Sequence, residues 1–319
     1  MGSEAASGRA ARAWVVLRRS LPMIVLAWAV AGMVLRATLR DRVPLLSGVF
    51  YATPLIVAAG LCAAACGMWL RRRQWRLAGA AGGLAVVAAA WWHLSTYVQR
   101  PVDLPAGGDG ERVVLWNVGR GRLGWKAILR TLDGFDADLL GLIETGEGPT
   151  AEEQFWRERF PGYQVATPVY EMTLLARGPI EPHSSGDLDG GGRYVHHRVE
   201  LNGRRLEVLL VDFKSNPLRS RRTPVARLLT LLNELAGRPL IVMGDFNTPI
   251  ESAYLDLLRE RMTYAFGAGG QGYDVTWPVP VPVLALDQVW VSAELRVRSC
   301  TLGWSGRSDH RPVSVLLEK

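Results

Sequence analysis

Three long stretches almost free of charged side chains fill most of the first hundred residues, and they constrain the fold more than any other feature. They cover residues 21–37, where Arg36 is the first charge, residues 44–70 and residues 77–98. A helix rises about 1.5 Å per residue and a hydrocarbon core is about 30 Å thick, so each stretch could cross a membrane. Residues 1–98 are therefore predicted to be an all-α membrane region with three transmembrane helices.

The arginines of this region predict its orientation. Eight of them precede the first stretch or separate the second from the third: Arg9, Arg12, Arg18, Arg19, Arg71, Arg72, Arg73 and Arg76. The loop between the first two stretches is also basic, with Arg36, Arg40, Arg42 and a single acid, Asp41. Because the more basic loops stay in the cytoplasm, the N-terminus is predicted inside and residues beyond about 100 outside. The chain is thus expected to be a multi-pass protein of the plasma (inner) membrane with an extracytoplasmic domain.

The rest of the chain is nearly balanced in charge. Residues 1–100 carry twelve arginines and two acids, whereas residues 101–319 carry 25 basic and 28 acidic side chains, a net charge of −3. The overall charge of +7 therefore belongs to the membrane region and does not indicate a nucleic-acid-binding domain. Glycine and proline in residues 99–111 predict a linker, and residues 112–319 are enough for one α/β domain.

The sequence IVMGDFN at residues 241–247 predicts a buried strand that ends in a polar turn. Alternate side chains of an extended chain point the same way, so Asp245 and Asn247 are expected to lie side by side. Asp and Asn are also common turn residues, so this pair alone fits either a functional site or a simple turn.

Polar residues occupy comparable places in four other segments. They are Asn117 in strand 113–118, Glu144 at the end of strand 138–144, Asp287 in strand 284–291, and Asp309 with His310 before strand 313–317. An unpaired buried amide costs about 1 to 3 kcal/mol, so Asn117 is expected to bond a neighbouring loop or to face a site. Glu144 could equally be an ordinary surface acid. Asp287 and His310 could form a carboxylate–imidazole pair that fixes the ring tautomer.

A β-hairpin is predicted by the turn Asn202-Gly203, and its second strand runs over residues 206–213 and includes Asp212. Three arginines follow before the next helix: Arg219, Arg221 and Arg222. They could form a clamp for an anionic substrate, or they could be the solvated start of the helix.

The ordered series of site candidates resembles the endonuclease/exonuclease/phosphatase superfamily over residues 111–319. The series consists of Asn117, Glu144, Gly244-Asp245-Phe246-Asn247, Asp287 and Ser308-Asp309-His310. This resemblance implies a four-layer α/β/β/α sandwich of two mainly antiparallel sheets flanked by helices. It also places the site at one edge, where the strand ends converge.

The same resemblance implies a metal site. Glu144 would bind Mg²⁺ or Mn²⁺, and Asn117 and Asp309 would assist it. A hard divalent cation prefers oxygen ligands and usually takes one or two carboxylates, so these residue types suit the role. The expected cofactor is therefore Mg²⁺ or Mn²⁺.

Catalytic roles are implied for four further residues. Asp245 would orient or deprotonate the attacking water, and Asn247 would hold the phosphate. His310, paired with Asp287, would stabilise the charge that develops on the phosphoryl oxygens. Hydrolysis of a phosphodiester needs such a base and such a donor beside the metal, so the residues agree with the chemistry.

One position departs from the pattern of the superfamily. Many members carry a His, and others a Tyr, where this chain has Asp212. An ionised carboxylate cannot donate a proton, so either the pKa of Asp212 is raised or Asp212 is a further metal ligand. Asn216 matches loosely an asparagine that some members hold after this strand, and we include it with Arg221 and Arg222 as candidate substrate-binding residues.

The predicted function is a membrane-anchored, divalent-metal-dependent hydrolase of phosphoric esters. A phosphodiester is the expected substrate, either a lipid head group or a nucleic acid, although the charge does not favour the latter. The alternative is a catalytically inactive, membrane-tethered binding or scaffolding module on the same fold, which the substitution at Asp212 suggests.

Overall fold

The protein is described by a computed structural model that covers residues 2–99, 110–146, 149–166 and 169–319. The chain divides into two compact units, Met1–Ser95 and Thr96–Lys319. The linker predicted over residues 99–111 lies mostly outside the described residues, and the first long strand of the second unit begins at Gly110.

The first unit consists of helices α1 (Gly2–Ala37), α2 (Pro44–Ala52), α3 (Leu55–Arg71) and α4 (Trp75–Thr96). Small side chains are buried where these helices pack: Ala29, Ala58, Cys62, Ala65, Ala78 and Ala81. Small residues allow helix backbones to approach closely, which is the usual way in which apolar helices associate.

The second apolar stretch was predicted to be one continuous helix. It is instead divided into α2 and α3, which meet at a bend of 69°. Pro54 cannot donate a backbone hydrogen bond and disfavours a helical residue before it, so α2 ends there. The Arg36 guanidinium donates to the carbonyl oxygens of Phe50 and Thr53, at 2.8 and 3.0 Å, and thereby satisfies the end of α2. Two described helices, within α1 and α4, are long and apolar enough to span a membrane, and the count reaches three only if the bent pair is one span.

The second unit contains fourteen strands and five helices among its described residues. They are β1 (Tyr97–Val98), β2 (Gly110–Asn117), α5 (Trp125–Asp133), β3 (Leu139–Ile143), α6 (Pro149–Arg159), β4 (Gln164–Val165), β5 (Met172–Ala176), β6 (Ile180–Asp187), β7 (Gly192–Leu201), β8 (Arg204–Phe213), α7 (Arg222–Glu234), β9 (Leu240–Asp245), α8 (Asp256–Arg259), β10 (Thr263–Tyr264), α9 (Ala265–Gly269), β11 (Gly272–Tyr273), β12 (Asp287–Val291), β13 (Val297–Leu302) and β14 (Val313–Glu318).

The strands of this described part form two six-stranded sheets and a small two-stranded one. The first sheet has the order β13-β14-β2-β3-β5-β4 and the second the order β10-β12-β9-β8-β7-β6, while β1 pairs with β11. Each large sheet is antiparallel except for one parallel pair of strands. In the first sheet this pair is β2–β3, connected through α5, and in the second it is β8–β9, connected through α7. This confirms the predicted pair of mainly antiparallel sheets.

Alternation along the central strands produces the four layers. Val113 and Leu115 point between the sheets, whereas Val114 and Trp116 pack against α5 and α6. The strands β8 and β9 divide their residues in the same way between the inter-sheet core and α7. Side chains that alternate in this way bury both faces of a strand, and the result is the predicted α/β/β/α sandwich.

The predicted hairpin is confirmed, since Asn202 and Gly203 connect β7 to β8 with φ angles of 52° and 79°. The last predicted strand before the C-terminal motif is shorter than expected and begins at Asp287 rather than at residue 284. The backbone N–H groups of Leu286 and Asp287 donate to Thr276 Oγ1, each at 3.1 Å, and the Leu286 carbonyl oxygen accepts from the N–H of Phe246 at 3.0 Å.

Gly244 of β9 is paired with Val211 on the parallel strand β8. A Cβ atom on this residue would lie 1.8 Å from the carbonyl oxygen of Val211. We expect Gly244→Ala to lower the free energy of unfolding by about 3 kcal/mol, because backbone atoms must separate to admit the methyl group. Chemical denaturation measures the change, and Gly162→Ala is the control, since its Cβ would meet nothing within 4 Å. Equal stability of the two variants would contradict this prediction.

Candidate active site

Three carboxylates lie side by side across the second sheet because of its strand register. Asp245, the last residue of β9, is paired with Asp212 on the parallel strand β8 and with Asp287 on the antiparallel strand β12. Neighbouring residues of a sheet that share a face are about 5 Å apart, so their charges interact directly. The strand ends thus assemble an acidic edge.

His310 completes this edge from the segment that precedes β14. Its Nδ1 lies 2.8 Å from Asp287 Oδ2 and its Nε2 lies 3.9 Å from Asp245 Oδ2, and all three side chains are buried. Burial opposes a charge on the ring, but the carboxylates of Asp287 and Asp245 outweigh it and raise the pKa of His310 to about 10. The imidazole is therefore a cation at neutral pH, with Asp287 fixing its orientation.

Several neighbouring groups act on the pKa of the buried Asp245 carboxyl. Burial and the charge of Asp287 raise the pKa of Asp245 to about 6, and His310 and hydrogen bonds from Asn247 and Asn117 limit this rise. A carboxylate with a pKa near neutrality can accept a proton during a reaction and release it afterwards.

Asn117, at the end of β2, connects the two sheets at the site. Its Nδ2 donates to Asp245 Oδ2 at 3.1 Å and lies 3.4 Å from Glu144 Oε1, while its Oδ1 accepts from the backbone N–H of Gly119 at 3.0 Å. Of the two uses expected for this buried amide, the structure therefore shows both, since it bonds a loop and faces the acidic edge.

Arg120, which the sequence did not single out, forms ion pairs with Glu144 and with a second unpredicted residue, Glu171. Arg120 Nη1 lies 3.0 Å from Glu144 Oε2, and Arg120 Nε lies 2.6 Å from Glu171 Oε2. All three residues adopt left-handed backbone conformations, with φ angles of 56°, 55° and 59° for Arg120, Glu144 and Glu171. Such conformations cost of order 1 kcal/mol or more in residues other than glycine, and they concentrate at functional sites.

Asp212 is half-buried beside this cluster. Burial raises the pKa of Asp212 well above its usual value, and the charges of Asp245, Glu144 and Glu171 add to the effect, while Arg120 partly opposes it. The direction of this shift is the one that the first of the two possibilities for Asp212, a raised pKa, requires.

The residues at this edge fit a divalent metal ion. Glu144 offers carboxylate oxygens, the ligands that a hard divalent cation prefers, and the Asn117 amide lies beside them, with its Nδ2 3.4 Å from Glu144 Oε1. Asp245, Asp287 and His310 form a second group whose ligand atoms lie within 4.8 Å of one another. In this second group His310 Nδ1 is already engaged by Asp287 Oδ2 at 2.8 Å, so only its Nε2 is directed toward Asp245.

Arg120 occupies the position of a cation between two carboxylates, and removing it should therefore favour metal binding. We expect Arg120→Ala to bind Mn²⁺ roughly tenfold more tightly, since the ion no longer competes with a guanidinium for Glu144. Titration calorimetry of the full-length protein measures this, with the neighbouring exposed residue Arg122 changed to Ala as the control. Unchanged or weaker binding in Arg120→Ala would show that the arginine does not compete.

Asn247 and Arg221 are connected in the structure. Asn247 has a φ angle of 44°, its N–H donates to Asp245 Oδ1 at 2.8 Å, and its Nδ2 donates to the carbonyl oxygen of Phe213 at 2.7 Å. The buried Arg221 donates through Nη2 to the Asn247 carbonyl oxygen at 2.8 Å. Here the side chain of Arg221 holds the turn that carries Asp245.

The three remaining site candidates from the sequence, Asp309, Asn216 and Arg222, are all exposed. Asp309 is exposed and accepts from Trp277 Nε1 at 3.2 Å, and its Oδ1 lies 3.7 Å from the position of a Cβ on Gly119. Asn216 is exposed, and its Oδ1 accepts from the N–H of Leu218 in its own turn. Arg222 is exposed at the start of α7, and among the described contacts neither it nor Asn216 reaches the acidic edge.

Two further side chains hold the C-terminal motif in place. Ser308 Oγ donates to the Asn117 carbonyl oxygen at 2.7 Å and accepts from the His310 N–H at 3.1 Å. Trp116 Nε1 donates to the His310 carbonyl oxygen at 2.9 Å. Ser308 could be identified from the motif, whereas Trp116 appears in the sequence only as an apolar strand residue.

The fold and the site together define a class, that of α/β sandwich proteins with a phosphoesterase-type acidic edge between two sheets. The chain belongs to the Endonuclease/Exonuclease/phosphatase family, whose profile matches residues 114–310. The resemblance identified from the motifs is thereby confirmed.

Solved structures share the fold over the second unit. A family member from Bacteroides vulgatus has 17% identity and a TM-score of 0.53, with 66% of this chain and 99% of that chain covered. The human Nocturnin catalytic domain with bound sulfate has 20% identity and a TM-score of 0.51, with coverage of 67% and 95%. A mannosyl-6-phosphatase from Bacteroides thetaiotaomicron has 15% identity and a TM-score of 0.51, with coverage of 66% and 100%. No curated protein matches the sequence.

Proposed function

We propose that this protein is a membrane-anchored, divalent-metal-dependent hydrolase of phosphoric esters, and that its substrate is a phosphodiester. One observation carries the proposal: the buried Asp245 carboxylate lies between the His310–Asp287 pair and the Asn117–Glu144 pair. A base, a cationic donor and oxygen ligands for a metal therefore surround one position. Hydrolysis of a phosphoric ester needs this combination.

In the proposed reaction, Asp245 and His310 have separate roles, and Glu144 and Asn117 would hold the metal ion. Asp245 orients the attacking water and accepts its proton as the new P–O bond forms, a role that its raised pKa suits. The His310 imidazolium, held by Asp287, donates a hydrogen bond to the phosphoryl oxygen on which negative charge develops. A Mg²⁺ or Mn²⁺ ion bound by Glu144 and Asn117, with Asp309 nearby, would supply Lewis-acid stabilisation of that charge.

The leaving group receives its proton from Asp212 in this scheme. As the bond from phosphorus to the leaving oxygen breaks, the protonated carboxyl donates its proton to that oxygen and becomes a carboxylate. The raised pKa of Asp212 supports the assignment, because a carboxyl that holds its proton more tightly than an ordinary aspartate is better suited to act as a general acid. A carboxyl would thus perform the step for which related proteins use His or Tyr.

The membrane part of the proposal rests on the two apolar helices and the bent pair. If the bent pair crosses as one span, three crossings and the arginine distribution put the catalytic domain on the extracytoplasmic side of the plasma membrane. Protease protection of the domain in sealed inverted vesicles tests this topology.

Removal of the metal tests the catalytic proposal. We expect the full-length protein in detergent to hydrolyse bis(p-nitrophenyl) phosphate with Mg²⁺ or Mn²⁺ and to lose turnover when a chelator is added, because the Lewis acid is gone. A panel of single-stranded DNA and phospholipids identifies the preferred substrate class. The inactive scaffold would be favoured instead if no substrate were hydrolysed and calorimetry detected no metal binding.

A further inference from the structure

Exposed apolar side chains of the domain are concentrated in the loops around the acidic edge. In the described residues of the second unit, the large exposed apolar side chains are Tyr97, Leu123, Tyr170, Leu218, Leu257, Val281 and Trp304. Five of them, all except Tyr97 and Leu257, lie in loops that also carry or contact site residues. Single exposed apolar residues are ordinary, but a concentration around a site marks an interaction surface.

The first two of these residues, Leu123 and Tyr170, lie close in sequence to Arg120 and Glu171. Leu123 is 53% exposed and follows the turn that carries Arg120. Tyr170 is 41% exposed and immediately precedes Glu171, which binds Arg120. Both therefore lie within three positions of the Arg120–Glu171 ion pair in the sequence.

The other three flank the remaining strand ends. Leu218 follows β8 and Asp212, and Val281, which is 69% exposed, lies two residues after Val279, whose N–H donates to the Asp309 carbonyl oxygen. Trp304 precedes the motif that ends in His310 and is 59% exposed. The five exposed apolar residues thus lie in loops that follow or precede the strands of the acidic edge.

Arginines alternate with these apolar side chains. Arg122 adjoins Leu123, Arg219 adjoins Leu218, and both arginines are exposed. The guanidinium groups of Arg193 and Arg311 lie over the rings of Tyr170 and Trp304, at 4.7 and 5.2 Å from the centroids. Apolar groups next to arginines match the acyl boundary and the anionic head groups of a bilayer surface.

We propose that these loops, carrying Leu123, Tyr170, Leu218, Val281 and Trp304, form a docking surface for an anionic lipid bilayer, so that the site receives a lipid phosphoester. The second part rests on the proposed hydrolase function. Nucleic acid is the less favoured occupant, because bases stack on aromatic rings and three of the five side chains are aliphatic.

A fluorescent label tests docking without any need for activity. An environment-sensitive label is placed at Leu123→Cys or Val281→Cys in the full-length Cys66→Ala protein, because Cys62 and Cys300 are buried. In nanodiscs that contain phosphatidylglycerol, we expect a blue-shifted emission that lipids with bromine in their acyl chains quench. The control is Leu257→Cys, an exposed apolar site on α8 that is not among the proposed docking residues and should show neither effect.

Three results would overturn the docking proposal. They are an unquenched label at both loop sites, equal quenching at Leu257→Cys, and a blue shift that appears with single-stranded DNA but not with lipid. None of them depends on hydrolysis, so a failure of the proposed function remains distinguishable.

The substrate class has its own test. We expect Leu123→Ser combined with Val281→Ser to lower, by about tenfold, the ratio of kcat/KM for a vesicle phospholipid to kcat/KM for a soluble diester, since apolar burial at the surface is lost. Leu257→Ser should leave that ratio unchanged. An unchanged ratio in the double variant would refute the lipid substrate.

Discussion

Replacement of Asp245 by Asn is expected to lower kcat for phosphoester hydrolysis by roughly 10³ to 10⁴-fold, the usual contribution of a general base. The amide cannot accept the proton of the attacking water. It also presents an NH₂ group to either Asn117 Nδ2 or the Asn247 N–H, both of which donate to the carboxylate in the native site. The loss should therefore appear in kcat even if the substrate still binds.

The control for this result is Asp256→Asn, which changes a carboxylate paired with Arg259 on α8 outside the site. Steady-state kinetics and thermal unfolding of both variants separate a catalytic loss from a loss of folded protein. If Asp245→Asn remained folded and kept more than a tenth of the native kcat, Asp245 would not be the base.

Replacement of Asp212 by Asn is expected to slow hydrolysis by roughly 10² to 10³-fold for substrates with an alkyl leaving group, because the proton donor is lost. Aryl esters with a p-nitrophenyl leaving group should be affected much less, since that anion leaves without protonation. Comparison of kcat/KM for the two substrate types measures the difference.

An equal loss for both substrate types would contradict the general-acid role of Asp212. Such a result, together with weaker Mn²⁺ binding measured by calorimetry, would instead identify Asp212 as a metal ligand. Arg227→Ala, a change at a partly exposed residue of α7, provides the control for both measurements.

Much of the fold could be predicted because its local signals are strong. The Asn202-Gly203 turn specifies the β7–β8 hairpin, and the apolar runs before Asn117, Glu144 and Asp245 specify central strands that are buried on both faces. The polar residues that end such strands meet because parallel neighbours end at the same edge.

The ion pairs of Arg120 with Glu144 and Glu171 could not be predicted in the same way. Arg120 and Glu171 are 51 positions apart in the sequence, and left-handed conformations of Arg and Glu carry no reliable sequence signal. Arg221 illustrates a different limit. Its residue type suits either a substrate clamp or a structural support, and only its burial against the Asn247 carbonyl reveals the contact that it makes.

The break between α2 and α3 was readable in principle, because Pro54 lies inside the second apolar stretch. Hydropathy alone overlooks it, since proline interrupts a helix without making the segment polar. The contribution of Arg36 to this break needs tertiary contact and could not be inferred from spacing.

The order of strands in the first sheet has a consequence for how the protein is made. β14 lies between β13 and β2, so a strand from the end of the domain is inserted next to the strand that begins it. The ribosome must therefore synthesise nearly the whole domain before this sheet can close and before His310 can reach Asp287. A nascent chain that lacks β14 would therefore leave one long edge of β2 unpaired and the Asp287 carboxylate without its imidazole partner.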